Sequence, residues 1–314
     1  MVVWKFSVFW YYSTTLSGET KEYNMSRIAY VNGSYSPHSK AQLHVEDRST
    51  QFSDGVYEVI AVINGKLIDS ELHYQRLLRS LAALKIKLPM TTRVLDSILK
   101  EVVRLNRLHS GLCYLQISRG SAPRNHSFPL QVKASVVVTA RKSEPAGGSA
   151  AASGVSIITT HDLRWKRRDI KSVSLLPNVL AKEEAVQNGA FEVWLVEPEG
   201  DKTVIEGSSS NAWIVDEDGQ ILTHPEGSKI LSGVTRNRII SLAEKNDLNI
   251  LEKPFTVRQA KLASEAFLTS TSSFVVPVIK IDGCTIGQGT PGPITKGLAK
   301  IYNKFVTDYC LPRK

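Results

Sequence analysis

From Ile28 onward, hydrophobic and polar positions alternate in short runs, and an Asn-Gly pair interrupts two of them. One is Ala29-Tyr30-Val31-Asn32-Gly33-Ser34-Tyr35; the other spans residues 56–68, with Asn64-Gly65 near its centre. Asn-Gly between extended pieces predicts a tight hairpin, so two of them predict an antiparallel sheet. The period then changes. Leu77, Leu81, Leu84 and Leu88 recur at three- and four-residue spacing after Asp69 and Ser70, either of which can cap a helix, and Pro89 ends the run. Thr91 or Thr92 caps a second helix striped by Val94, Ile98, Val102 and Leu105, and strands over 113–118 and 132–141 complete an α+β unit.

Beyond Lys142 the run Ser-Glu-Pro-Ala-Gly-Gly-Ser-Ala-Ala-Ala-Ser can bury little and reads as a flexible connection. Two domains are therefore expected: a smaller α+β domain over 25–142, a linker over 143–153, and a larger mixed α/β domain over 154–314. In the larger one, strands are predicted at 155–160, 192–196, 203–206 and 211–215. Helices are predicted at 178–188, closed by Gly189, at 234–245, and at 293–306, where Pro293 suits a first helical position. Residues 1–24 are aromatic-rich, with Trp4, Phe6, Phe9, Trp10, Tyr11 and Tyr12, but lack a small-residue cleavage pattern. They read as an N-terminal extension outside the fold.

Composition narrows the class. With 42% hydrophobic and 22% charged residues among 314, the chain is of the ordinary globular type, which excludes a disordered or collagen-like polypeptide. Cys113, Cys284 and Cys310 are an odd number without a C-x-x-C pair, so neither a disulfide framework nor a zinc site is expected, and a reducing, cytoplasmic setting fits. No apolar run approaches the ~18 residues of a membrane span. The net charge of +9 concentrates in one cluster, Arg164-Trp165-Lys166-Arg167-Arg168. No helix-turn-helix, RNP or zinc-finger pattern accompanies it, so an anionic small molecule or cofactor is a better match than nucleic acid.

Candidate chemistry begins at Leu231-Ser232-Gly233-Val234-Thr235-Arg236, where a Gly and hydroxyl turn opens a predicted helix. Free amides and the dipole at such a terminus favour an anion. A second hydroxyl cluster, Thr269-Ser270-Thr271-Ser272-Ser273, follows an apolar run, and a phosphate could sit between the two loops. The spacing is neither a P-loop nor a G-x-G-x-x-G. Arg119-Gly120-Ser121-Ala122-Pro123-Arg124-Asn125-His126 brings two arginines and a histidine to one turn, a combination suited to clamping a carboxylate. Spacing alone selects none of the lysines, but Lys171, in Asp169-Ile170-Lys171-Ser172-Val173, is of interest for lying among apolar residues just after the basic cluster.

Together these segments resemble the D-amino-acid aminotransferases of the pyridoxal-phosphate fold type IV group. The resemblance is carried by the run over 45–59, ending Asp54-Gly55-Val56-Tyr57-Glu58-Val59, and by His73-Tyr74-Gln75-Arg76-Leu77 and Pro123-Arg124-Asn125-His126. It continues through Asp169-Ile170-Lys171-Ser172, Glu206-Gly207-Ser208-Ser209-Ser210-Asn211, Ser232-Gly233-Val234-Thr235-Arg236 and Pro291-Gly292-Pro293, all in the family's order.

The resemblance implies a two-domain homodimer with pyridoxal 5'-phosphate held between the domains. By the same resemblance, Lys171 matches the lysine that carries the cofactor and Glu206 the acid facing its pyridine nitrogen. Arg76, Val234, Thr235, Ser270 and Thr271 match phosphate-holding positions, and Leu231 the apolar residue against the ring. Tyr57, Arg124 and His126 match the substrate carboxylate trap, with Arg124 and His126 arriving from the neighbouring subunit. The implied reaction moves an amino group from a D-amino acid such as D-alanine to a 2-oxo acid such as 2-oxoglutarate. Ser49 and Ser53 stand where the family usually has glycine, and the Lys171 to Glu206 interval is slightly expanded. A branched-chain L-amino-acid aminotransferase and an aminodeoxychorismate lyase share the lysine and glutamate and are alternatives; a basic, non-catalytic nucleic-acid-binding protein is the alternative of a different class.

Overall fold

The computed structural model describes residues 27–144 and 148–311, so the extension expected over 1–24 lies outside the described residues. The first half of the chain supplies β1 (Ile28–Val31), β2 (Ser34–Pro37), β3 (Gly55–Ile63), β4 (Lys66–Leu67), β5 (Ser110–Ser118) and β6 (Ser135–Lys142). They form one six-stranded antiparallel sheet in the order β2-β1-β6-β5-β3-β4. Both Asn-Gly pairs make the tight hairpin turns, with positive φ at Asn32, Gly33, Asn64 and Gly65. The sheet's helices are α1 (Arg48–Phe52), α2 (Ser70–Ala83) and α3 (Thr92–Leu105), and α4 (Gly148–Ser153) leads out of it.

Strand alternation separates the sheet's two faces. Val56, Ile60, Val62, Cys113, Leu115, Ile117, Val136 and Val138 pack with Tyr74, Leu77 and Leu81 of α2 and Leu95, Leu99 and Val102 of α3 in one core. Tyr57, Val59, Ala61, Leu112 and Arg141 lie on the other face, as the pairings Ala61↔Leu112 and Leu112↔Arg141 require.

The second sheet contains β7 (Val155–His161), β8 (Glu192–Val196), β9 (Val204–Gly207), β10 (Asn211–Val215), β11 (Ile221–Thr223), β12 (Ile250–Glu252), β13 (Glu265–Ser270), β14 (Phe274–Ile281) and β15 (Cys284–Thr285). Its order is β12-β11-β10-β13-β14-β7-β8-β9, with β15 on β14, and the β11–β12, β14–β7 and β7–β8 pairs are parallel. It is accompanied by α5 (Leu176–Gln187), α6 (Val234–Glu244), α7 (Val257–Leu262) and α8 (Pro293–Cys310). The fold is α+β, and the two sheets meet through Ala61, Ile68 and Leu112, which share a cluster with Trp213, Phe267 and Phe274.

Several local expectations are corrected. Helix α2 stops at Ala83, because Lys85 takes a left-handed φ of 54° that ends the turn before Leu88 and Pro89. Leu84 and Leu88 still pack on the core from outside the helix. Asp69 stands at the N-cap of α2, but its side chain caps no amide; its backbone is left-handed and its carboxylate pairs with Arg238 at 2.5 Å. The buried stripe of α3 is Leu95, Ile98, Leu99, Val102 and Val103, leaving Val94 exposed. Within the expected linker, Gly148–Ser153 is helical and Ala150 packs against the second sheet's core.

Candidate active site

Lys171 is placed by backbone bonding across the seam between the sheets. The Tyr57 amide donates to the Lys171 carbonyl at 3.0 Å, the Val173 amide donates to the Gly55 carbonyl at 3.0 Å, and the Lys171 amide donates to Ser80 Oγ at 3.2 Å. Ile170 enters the core of the first sheet, so the segment is anchored there on both sides of the lysine. Lys171 Nζ lies 4.2 Å from the centroid of the Tyr57 ring. Both face a cavity of about 450 Å³ between the sheets.

Glu206, at the end of β9, is buried in the same cavity wall. Arg164 Nη1 donates to its Oε1 at 2.5 Å, while the Leu231 amide and Asn211 Nδ2 each donate to Oε2 at 3.1 Å. Arg164 is itself gripped by Asp162 through Nε and Nη2 at 2.9 and 2.8 Å. Burial pushes the Glu206 carboxyl above the usual carboxylate range, against the opposing pull of Arg164 and the Leu231 amide. For Arg164 the two carboxylates outweigh burial and hold the guanidinium protonated.

Another part of the wall gathers donors that suit an anion, a candidate cradle. Helix α6 opens at Val234 and Thr235, both buried, and its N-cap Gly233 places no side chain over the first amides. A Cβ on Gly233 would come within 1.9 Å of Asn211 Oδ1, so the close approach requires glycine. Ser270, which ends β13, and Thr271 and Ser272 in the turn to β14 line the same cavity with hydroxyl-bearing side chains. Arg76 completes the cradle. Its Nε and Nη2 donate to Glu58 Oε1 and Oε2 at 2.8 and 2.7 Å, and Nη1 donates to the Ser232 carbonyl at 3.0 Å.

Burial of Glu58 by itself raises its pKa, but Arg76 and His73 outweigh that and draw it down to about 2. The unfolded carboxyl titrates near 4.5, so the pairing stabilises the fold fully above that pH and the benefit is lost as pH falls toward 2. The loss is on the order of 3 kcal/mol. Urea unfolding followed between neutral and acid pH should show this decline in the parent and a flatter profile in Glu58→Gln; parallel profiles would refute the assignment.

Nine expected residues thus line one cavity: Tyr57, Arg76, Lys171, Glu206, Leu231, Val234, Thr235, Ser270 and Thr271. Arg124 and His126 do not; both are exposed on the loop between β5 and β6. That loop is nevertheless tied down, because Arg48 Nη1 donates to the Asn125 carbonyl at 2.6 Å and Nη2 to the His126 carbonyl at 3.4 Å. Asp54 holds both Arg48 and Arg119, each at 2.7 Å. The departures from glycine are accommodated locally: Ser49 binds Asp47 Oδ1 through its amide and hydroxyl, and Ser53 adopts the left-handed φ of 53°.

A phosphate-bearing pyridine fits this donor set, since the bare helix end, the hydroxyls and Arg76 suit the phosphate, and Glu206 suits a ring nitrogen. Two sheets with this seam and this cradle define the class: a fold type IV enzyme. Residues 55–281 match the model of the amino-transferase class IV family. The D-alanine aminotransferase of Staphylococcus haemolyticus is 39% identical over 277 residues, 88% of this chain and 97% of that protein. That of Bacillus licheniformis is 42% identical over 268 residues, 85% of this chain and 93% of its own length. Among solved structures, a branched-chain amino acid aminotransferase from T.th. with pyridoxamine 5'-phosphate matches with a TM-score of 0.82 at 28% identity, over 90% of this chain and 95% of that one. The chain belongs to the class IV aminotransferase family.

Proposed function

We propose that this chain is a pyridoxal 5'-phosphate-dependent D-amino-acid aminotransferase, moving the amino group of a D-amino acid such as D-alanine to a 2-oxo acid such as 2-oxoglutarate. The observation that carries the reading is the convergence of Lys171, Glu206 and the Arg76 and α6 cradle on one cavity. Likeness over nearly the whole length of two D-alanine aminotransferases supports the choice of substrate class. The cofactor supplies an aldehyde that takes up the amino group and a ring that accepts electrons.

The chain's own residues do the rest. The Lys171 amine, facing Tyr57, carries the proton taken from the substrate α-carbon. Glu206, whose pKa is raised, holds a proton at the ring nitrogen while Arg164 and the Leu231 amide fix its orientation. Arg76, Val234, Thr235, Ser270 and Thr271 hold the phosphate. Tyr57 binds the substrate carboxylate together with Arg124 and His126 of a second copy of the chain. Their exposure, away from their own cavity, on a loop stiffened by Arg48, supports assigning them to a homodimer partner. A carboxylate held on that side presents one face of the α-carbon to Lys171, which selects the D-enantiomer. The same reading divides the chain into an extension over 1–24, domains over 25–142 and 154–314 with a linker between, and places it in the cytoplasm.

The visible spectrum of the protein loaded with pyridoxal phosphate tests the proposal. Addition of D-alanine should convert the aldehyde form to the amine form and release pyruvate, and L-alanine and L-leucine should not. Conversion by L-leucine instead would make the chain a branched-chain enzyme, and pyruvate release from aminodeoxychorismate without an amino acceptor would make it a lyase.

A further inference from the structure

Four arginines line the cavity: Arg76, Arg141, Arg164 and Arg168. Three are neutralised by carboxylates. Arg76 pairs with Glu58 at 2.7 Å, Arg164 with Glu206 at 2.5 Å, and Arg168 Nε lies 3.0 Å from Asp162. Arg141 differs, because its guanidinium makes no hydrogen bond, ion pair or ring contact with any of the described residues. An exposed arginine on a strand is commonly just solvated, and what sets Arg141 apart is where it stands.

Arg141 sits near the end of β6, opposite Leu112, which is itself opposite Ala61. Its side chain therefore leaves the sheet on the face that carries Tyr57 and Val59, both of which line the cavity and one of which faces Lys171. The anchor is firm as well. A Cβ on Gly111 would approach the Arg141 carbonyl to 2.2 Å, so β5 and β6 are pressed together here and the strand end is fixed. A permanently charged fork with its donors free thus stands in the wall that receives substrate.

We infer that Arg141 is a specificity-determining residue that receives the distal carboxylate of a dicarboxylic amino acid or oxo acid. This rests on the proposed function, which assigns the α-carboxylate to Tyr57 with Arg124 and His126 and the phosphate to Arg76. A second substrate carboxylate then meets one uncommitted guanidinium in the wall of this chain. The inference explains how one cavity serves a small monocarboxylic amino acid in one half-reaction and a dicarboxylic oxo acid in the other. The second carboxylate adds binding only where it is present.

The test uses the cofactor-loaded enzyme and two unreactive probes, glutarate and butyrate, titrated by calorimetry. In Arg141→Met the ratio of glutarate to butyrate affinity should fall roughly tenfold, the size of a charge-assisted hydrogen bond. Arg141→Lys should recover part of the ratio, since it restores the charge without the planar fork. The ratio of kcat/KM for D-glutamate over D-alanine should fall in the same order. A change in the binding ratio of less than about threefold in Arg141→Met overturns the inference, because a single charged contact exceeds that. Failure of D-alanine to convert the enzyme would instead overturn the proposed function, and the glutarate and butyrate titration would still decide the role of Arg141.

Discussion

Lys171→Ala should lose transamination by roughly 10²- to 10⁴-fold or more, the range expected when a positioned proton carrier is removed. The loss should be almost purely chemical. Among the described residues the Lys171 amine makes no hydrogen bond or ion pair, and it stands over the face of Tyr57. The bonds that place the segment run through backbone atoms: the Lys171 carbonyl accepts from Tyr57, its amide donates to Ser80, and Val173 reaches Gly55. None of them needs the side chain, so stability should change by no more than about 0.5 kcal/mol, as for substitutions away from structural contacts. The checks are single turnover with D-alanine, the unfolding midpoint, and peptide mapping after hydride trapping of the loaded parent. Turnover within about tenfold of the parent, well short of what removing a proton carrier costs, would show that another group moves the proton.

How much of this arrangement can be read without coordinates depends on how local its causes are. The Asn-Gly hairpins, the Thr91 cap and the start of α6 after Gly233 are local, and each stands where the pattern put it. The hydroxyl turn and Lys171 stand out by themselves, but Glu206 and Arg76 become candidates, and all four acquire roles, only as an ordered set resembling a family, because no single spacing among them is diagnostic. The supporting charges were out of reach. Arg164 belongs to a basic cluster that suggests an anionic ligand, but nothing in the sequence pairs it with Glu206, 42 positions away. Glu58 and Arg76 meet because α2 lies over β3, which is a tertiary fact.

Tertiary context also hid elements. Pro277 argues against a central strand, yet β14 accommodates it opposite Phe267, and pairing with β7 begins only at Val278. Helix α5 shows the converse: it leaves Leu176, Val179, Leu180 and Val186 exposed and buries Ala181 and Ala185, so hydrophobic residues alone would misplace its inner face. Arg124 and His126 are a third kind of case. Their loop is readable as a carboxylate clamp, but it does not close on its own chain's cavity, and only the proposed homodimer would bring it to one.

Glu206→Gln should lower kcat for D-alanine by about 10²- to 10³-fold, the usual effect of removing one preorganised electrostatic group, while the cofactor stays bound. Substitution by glutamine is the informative change because of what surrounds the position. A lysine there would set a second cation against Arg164, whose nitrogen lies 2.5 Å from the carboxylate, and would confuse lost chemistry with lost folding. Glutamine keeps the shape and one carbonyl acceptor. Arg164 is not orphaned, since Asp162 still holds it through two further hydrogen bonds. The proposed phosphate cradle is also untouched, because Arg76 and the start of α6 draw on Glu58 and on backbone amides. Retained cofactor absorbance with a collapsed kcat would therefore isolate the proton held at the ring nitrogen. If the variant turned over within a few-fold of the parent, well short of an electrostatic effect of that size, Glu206 would serve only to neutralise Arg164.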